Sequence, residues 1–321
     1  MMRERIVIAT RGSELALWQS SFVRLSLQKH FPKLIIDFKV VKTLGDRVLD
    51  TSLAAIGDKG LFTKEIEQAI LDEGADLAVH SLKDVPTTLP DGLMIAAVTE
   101  RADCRDVFVP HPASRVRSLT ELPPGSTVAT GSLRRTCQLL HFRPDLRVAD
   151  IRGNLPTRLR KLDESDWRGM ILAKAGLERL GLQERIAETL AYETMLPAVG
   201  QGALAIETTT ADQELRKIVS VLHHEETFIA VRGERALLRH LEGGCQVPIG
   251  TYGRLEGGMF VLDAMIGSLD GTRVARGSLR GEPDRSEDIG RELAVILLEQ
   301  GGREILDEIR RNPVSRPPEQ P

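Results

Sequence analysis

Apolar positions along the chain fall into two periods, and the two alternate. Residues 5–9 form a strand-length apolar run. The turn Thr10-Arg11-Gly12-Ser13 follows, with Ser13 well suited to cap a helix. Leu15, Trp18, Phe22 and Leu25 then recur at helical spacing through His30, which predicts a helix with that stripe on the core. Residues 34–42 alternate as a strand, with Ile36, Phe38 and Val40 on one face. A helix capped by Thr63 turns Ile66, Ala69 and Ile70 inward, and 77–80 and 95–98 are short strands. Strand character restarts at 107–109 and returns at 146–151 and 169–173. Pro156 suits the first position of the helix after Arg152-Gly153-Asn154. The stretch 196–207 is a loop and then a strand that crosses back to the first lobe. Two helices (211–222, 225–241), three strands (251–254, 260–266, 272–277) and two more helices (286–300, 302–311) complete the chain. The pattern predicts two α/β lobes, residues 1–100 plus 200–220 and residues 105–198. A small C-terminal α+β domain, 223–315, carries Cys245.

One motif occurs twice. Ala9-Thr10-Arg11-Gly12-Ser13 ends a strand and opens a helix, and so does Ala129-Thr130-Gly131-Ser132. The second copy puts Arg134 and Arg135 in the first helical turn, where the helix dipole disfavours cations. A local rule broken in this way points to function. Basic residues recur where strands end: Arg11, Lys83, Arg134 with Arg135, and Arg152. Ligands of open α/β sheets bind at that edge, so the expectation is two similar lobes whose helix N-termini face a shared polycarboxylate. Taken singly, the Thr10–Ser13 turn also reads as an ordinary capped strand-to-helix turn, and Lys83 with Asp84 as a surface ion pair worth little.

Composition narrows the classes. At 321 residues, 41% hydrophobic and 28% charged, with net charge −3, the chain reads as a globular protein without a bulk electrostatic case for nucleic acid or membrane. The balance is local: residues 101–160 hold eleven Arg, five acidic residues and no Lys. Guanidinium groups grip carboxylates and phosphates bidentately. No secretory h-region and no long apolar span occur, so a cytoplasmic location is expected. Three scattered cysteines form neither a disulfide framework nor a zinc pair, and no metal site is expected. One of them lies in Glu242-Gly243-Gly244-Cys245-Gln246-Val247-Pro248, where two glycines free the backbone and leave room beside the sulfur. That loop is compatible with a buried small hydrophobe and with a reachable nucleophile. The seven histidines show no motif that would pair one with this thiol as a base.

Seven motifs in order make the chain resemble one family. They are Thr10-Arg11-Gly12-Ser13, Asp58-Lys59-Gly60-Leu61-Phe62, His80-Ser81-Leu82-Lys83-Asp84-Val85-Pro86, Ser132-Leu133-Arg134-Arg135, Arg152-Gly153-Asn154, 196–207 and 243–250. Together they resemble porphobilinogen deaminase (hydroxymethylbilane synthase) over all but the C-terminal tail. The resemblance implies lobes like those of periplasmic binding proteins and a monomer. It implies a dipyrromethane cofactor joined by a thioether to Cys245, on which four porphobilinogen units are linked head-to-tail with loss of ammonia. Asp84 would be the catalytic carboxylate, steadying positive charge on the pyrroles. Arg11, Ser13, Lys83, Ser132, Arg134, Arg135, Arg152 and Arg158 would hold acetate and propionate groups. Lys59 would sit on a lid and Phe62 over the pyrroles. This chain departs from the family pattern at Pro156, Cys104 and Lys174. A binding protein without chemistry and a cysteine hydrolase are the competing readings; the first needs no Gly-Gly-Cys, the second needs a histidine at the sulfur.

Overall fold

A computed structural model describes residues 3–47, 63–241 and 247–311. In the first lobe, β1 (Arg5–Thr10) runs into α1 (Glu14–His30), and β2 (Ile35–Val40) and the short helix α2 (Leu44–Arg47) follow. Ser13 caps α1, accepting from the Ala16 N–H at 3.4 Å. The helix is turned differently from the expected orientation. Its buried residues are Ala16, Gln19, Ser20, Val23 and Leu27, while Trp18, Phe22 and Leu25 are exposed. The small residues let the helix lie close on the sheet, and Gln19 is drawn in because its Nε2 donates to Ser81 Oγ at 2.8 Å. Outside, Trp18 stacks on Phe22 at 5.5 Å, and the Arg179 guanidinium sits 5.7 Å from the Trp18 ring. In β2 only Ile36 is fully buried, since the strand is an edge and its far end, Val40, reaches solvent.

The lobe continues with α3 (Lys64–Leu71), β3 (Leu77–Ser81) and β4 (Leu93–Val98). Thr63 stands at the N-cap position of α3, but its side chain makes no capping bond. The second lobe holds β5 (Asp106–Pro110), β6 (Thr127–Ala129), α4 (Leu133–Phe142), β7 (Arg147–Ala149), α5 (Leu155–Asp163), β8 (Gly169–Ala173), α6 (Lys174–Arg179) and β9 (Glu188–Thr189). Asn154 caps α5 through Thr157 N, which puts Pro156 at the second helical position instead of the first. Then β10 (Leu204–Thr209) returns to the first lobe.

The two sheets have the same plan. Their orders are β2-β1-β3-β10-β4 and β7-β6-β8-β5-β9. In each, a central strand leads into the helix of the repeated motif and pairs in parallel with both neighbours. In each, the fourth strand is antiparallel and is the one that arrives from the other lobe. The motif repeat is thus a repeat of topology.

After α7 (Gln213–Val219), the C-terminal domain packs α8 (Glu225–His240) and α9 (Ser286–Leu297) on an antiparallel sheet of β11 (Ile249–Glu256), β12 (Met259–Gly267) and β13 (Val274–Gly281), with α10 (Arg303–Arg311) last. Gly233 and Gly290 let α8 and α9 touch, since a Cβ on Gly290 would lie 2.3 Å from the Gly233 carbonyl oxygen. No helix among the described residues is long and apolar enough to cross a membrane.

A buried ion pair joins the three units. Glu234 of α8 takes Arg101 Nη1 at 2.6 Å and Nη2 at 3.3 Å, and accepts from the Gly200 and Gly253 N–H groups at 2.7 and 2.8 Å. Arg101 also donates to the Gln201 carbonyl at 2.8 Å. Burial would lower the Arg101 pKa, but Glu234 outweighs it and raises it. Removing one partner strands a buried charge, so Glu234→Leu is expected to destabilise by about 3–5 kcal/mol, seen as a lower urea midpoint. Adding Arg101→Met should restore part of that loss. A shift of the midpoint too small to measure would contradict the assignment.

Candidate functional site

Lys83 and Asp84, just past the end of β3, lie near enough to Arg134, Arg135 and Arg158 of the second lobe for their charges to interact. At the end of β3 the chain makes a single 3-10 turn, Leu82–Asp84. Leu82 is buried and anchors it, while Asp84 is exposed to the cleft. The anchor requires glycine opposite: Gly200 has φ +69°, and a Cβ there would lie 2.8 Å from Leu82 Cγ. Asp84 shares a cavity of about 70 Å³ with Arg11, Ser13, His80 and Ser81. The repeated turn of the first lobe and the Lys83-Asp84 turn therefore meet, as separate strand ends of one sheet.

Lys83 reaches toward the second lobe. Its Nζ donates to Gln201 Oε1 at 3.4 Å. Gln201 Nε2 in turn donates to the Cys104 carbonyl at 2.7 Å and to Asp106 Oδ1 at 2.9 Å. Asp106, fully buried at the start of β5, receives Arg134 Nη1 at 2.6 Å and Arg135 Nη2 at 2.8 Å. Burial alone would raise the Asp106 carboxyl; the two guanidinium groups outweigh it and hold it well below the usual range. This is the compensation for two arginines at a helix N-terminus. Arg134 spends the rest of its reach on the Leu196 carbonyl, at 2.6 Å. Arg135 bonds the Ile171 carbonyl at 3.2 Å, and its buried Nε has no hydrogen-bond partner.

Two further cations lie on the second-lobe side. Arg158 Nε donates to the Gly153 carbonyl at 2.8 Å. Arg152 Nε is 3.5 Å from Asp150 Oδ2 and is also a buried donor without a hydrogen bond. Burial pushes Arg158 down to about 10, aided by Arg135 and Arg152 and opposed by Asp84 and Asp150. Burial likewise pushes Lys83 down to about 8, with Asp84 opposing and Arg135 adding to the fall. Asp84 opposes the fall of both Lys83 and Arg158, so one carboxylate acts on a cation of each lobe. The cleft holds positive charge that burial disfavours, and an anionic ligand would offset it.

Of the residues singled out in the sequence, Arg11, Ser13, Lys83 and Asp84 come together on the first lobe. Arg134, Arg135, Arg152 and Arg158 lie on the second. Ser132 stands at the N-cap position of α4 without a side-chain capping bond, although its N–H is bound by Thr130 Oγ1 at 3.3 Å. Lys59, Phe62 and Cys245 lie outside the described residues. Lys174 binds Asp103 Oδ2 at 2.8 Å, inside the charged segment between the lobes. Asp106 and Gln201 are the residues that sequence reasoning missed. The signal for Gln201 was its place between Gly200 and Gly202, both with positive φ. At Gly202 a Cβ would lie 2.6 Å from the Ala102 carbonyl oxygen.

Comparison with known proteins identifies the family. A family profile described as "Porphobilinogen deaminase, dipyromethane cofactor binding domain" matches residues 6–217, and one for the C-terminal domain of the same enzyme matches 228–299. The porphobilinogen deaminase of Chlorobium phaeobacteroides (strain BS1) is 52% identical over 97% of this chain and 99% of its own. That of Chloroherpeton thalassium is 50% identical over 96% and 99%. Among solved structures, the periplasmic aliphatic sulphonate binding protein of Escherichia coli aligns with 74% of this chain and 71% of its own at 13% identity and a TM-score of 0.38. At that score the two-lobed plan rests on the sheet orders themselves. With both profiles matched in order and half of all positions shared across nearly its full length, the chain belongs to the porphobilinogen deaminase family.

Proposed function

We propose that the chain is the transferase that links four porphobilinogen molecules head-to-tail, with loss of ammonia, to give hydroxymethylbilane. The observation that carries this reading is one exposed carboxylate, Asp84, set among cations of two lobes that burial leaves short of negative charge. Porphobilinogen brings that charge as acetate and propionate, and its pyrrole N–H is a donor for a carboxylate.

The residues present fit a dipyrromethane. Its carboxylates would complete the orphaned donors Arg135 Nε and Arg152 Nε and relieve the depressed Lys83 and Arg158. Bound through Cys245, the cofactor supplies the pyrrole terminus to which the first substrate unit is joined. We assign carboxylate binding to Arg11, Ser13, Lys83, Ser132, Arg135, Arg152 and Arg158. Arg134 we assign to holding Asp106 and the Leu196 carbonyl, since its bonds run inward. Asp84 accepts from pyrrole N–H groups in the cleft, steadies positive charge as it develops there, and takes or returns a proton at its carboxylate oxygens. The lobe walls orient the rings so that the reacting carbons meet.

Three measurements test the reading. The intact mass of the purified protein should exceed the sequence mass by a dipyrrole, and Cys245→Ser should lack that increment; an unmodified, fully active protein would refute the cofactor. Asp84→Asn removes charge at near-constant volume, so kcat should fall by about 10²-fold or more with an unchanged circular dichroism spectrum; near-normal turnover would rule out the assigned role. Burial pushes Lys83 down to about 8 in the chain alone and carboxylates beside it raise it again, so kcat/KM for porphobilinogen should hold through about pH 8 and decline above it as Lys83 loses its charge. Lys83→Arg should flatten the decline, and a wild-type profile in that variant would exclude Lys83 as its origin.

A further inference from the structure

The turn that presents Asp84 has a second side. Leu82 of this turn, and Thr87 in the segment after it, line a cavity of about 540 Å³ between the first lobe and the C-terminal domain, on the other side of the turn from the cavity that Asp84 lines. Its other walls include Ile95, Val98 and Phe228, and one side is the face of α8 that carries Arg232, Arg235 and Arg239. The volume falls within the range of small-molecule sites, and an apolar body with a few converging polar groups is their usual composition.

The three guanidinium groups are held by carbonyls and a hydroxyl. Arg235 donates to the Val85 carbonyl at 3.0 Å and the Pro86 carbonyl at 2.6 Å. Arg239 donates to the Thr87 carbonyl at 3.2 Å. Arg232 binds Ser286 Oγ at 2.9 Å and the Pro283 carbonyl at 3.1 Å. Two acids line the cavity, Asp91 and Glu287. Glu287 is paired with Arg291 at 3.4 Å, and no ion pair to Arg232, Arg235 or Arg239 occurs among the described residues. Burial, with Arg239 adjacent and Glu207 opposing, pushes Arg235 down to about 10. The wall thus combines apolar surface with cations in excess of anions, and its central cation is tied to the two residues after Asp84.

We infer that this cavity is a regulatory site for a small amphipathic anion, a carboxylate or sulfonate on an apolar body, which binds Arg235 and Arg239 and loosens their hold on the Asp84 turn. The apolar body lies against Phe228 and Leu82, and the anionic head meets the α8 arginines. A head group that shares Arg235 competes with the Val85 and Pro86 carbonyls. The turn then loses the clamp that fixes Asp84 over the cleft. Occupancy lowers turnover without obstructing substrate, because ligand and substrate lie on opposite sides of the turn. This inference rests on the assignment of Asp84 above.

The test uses the holoenzyme and 1-anilinonaphthalene-8-sulfonate as reporter ligand. Its fluorescence should titrate to a single saturable site. Arg239→Ala, which removes an exposed cation, and Thr210→Trp, which fills the cavity mouth, should each weaken binding at least tenfold. In steady-state assays the ligand should lower kcat and leave KM for porphobilinogen unchanged. Binding that both variants leave intact overturns the site. A rise in KM alone places the ligand in the catalytic cleft and overturns it also, and binding with no effect on kcat overturns the coupling to Asp84. The fluorescence arm needs no turnover, so its failure is distinct from a failure of the proposed activity.

Discussion

Asp106 is the charge on which the cleft depends. A carboxylate without exposure is costly unless its neighbours compensate, and here they are two arginines and an amide. The exchange works in both directions. Arg134 and Arg135 stand in the first turn of α4, where a helix dipole and desolvation both oppose them. Asp106 supplies the negative charge that both guanidinium groups bind there. Through Gln201 the same carboxylate fixes the side chain that meets Lys83, so a group in the second lobe sets the position of a cation in the first. The cationic character of the cleft is therefore built outward from one buried negative charge.

A second constraint fixes how the lobes meet. Among the described residues the chain passes between them near 99–105 and again near 190–203, and both passages are held by the C-terminal domain. Arg101 lies on the first passage and Gly200 on the second, and Glu234 binds both. The third domain is thus part of the joint of the other two. The Gly200 N–H held by Glu234 belongs to the residue that Leu82 packs against, so the joint continues directly into the Asp84 turn. Arg235, next to Glu234 on α8, reaches the far side of that turn.

The fold was legible where local pattern and topology coincide. The repeated Ala-Thr…Gly-Ser turn announced two lobes of one plan, and the sheet orders repeat it strand for strand. The apolar stripe of α1 was legible as helix but not as orientation: Trp18, Phe22 and Leu25 have the right spacing, yet Ala16, Ser20 and Val23 make the closer contact with the sheet. Periodicity counts apolar area and does not register how near a helix can approach. Thr63 shows the same limit, since a residue suited to capping stands at the cap and does not cap. In the cleft, Arg134 and Arg135 stood out because they break a local rule. Their compensation was invisible because Asp106 is 28 residues away in sequence. A sequence reading grouped the two arginines as equivalent; only coordinates separate the one turned to the Leu196 carbonyl from the one whose Nε lacks a partner.

The buried cations also explain why a resident, covalently held primer suits this fold. Lys83 and Arg158 are each depressed chiefly by burial, so the folded protein carries them at a cost that an anion reduces. A ligand that binds only the folded form stabilises it by mass action, and one attached to the chain does so at any concentration. On the assignment proposed above, cofactor carboxylates would neutralise part of this wall. On the same assignment, the cations that the cofactor leaves unpaired would be the ones to meet the carboxylates of an incoming unit. The charge that burial disfavours in the chain alone would in this way favour both the folded form and a polycarboxylate ligand.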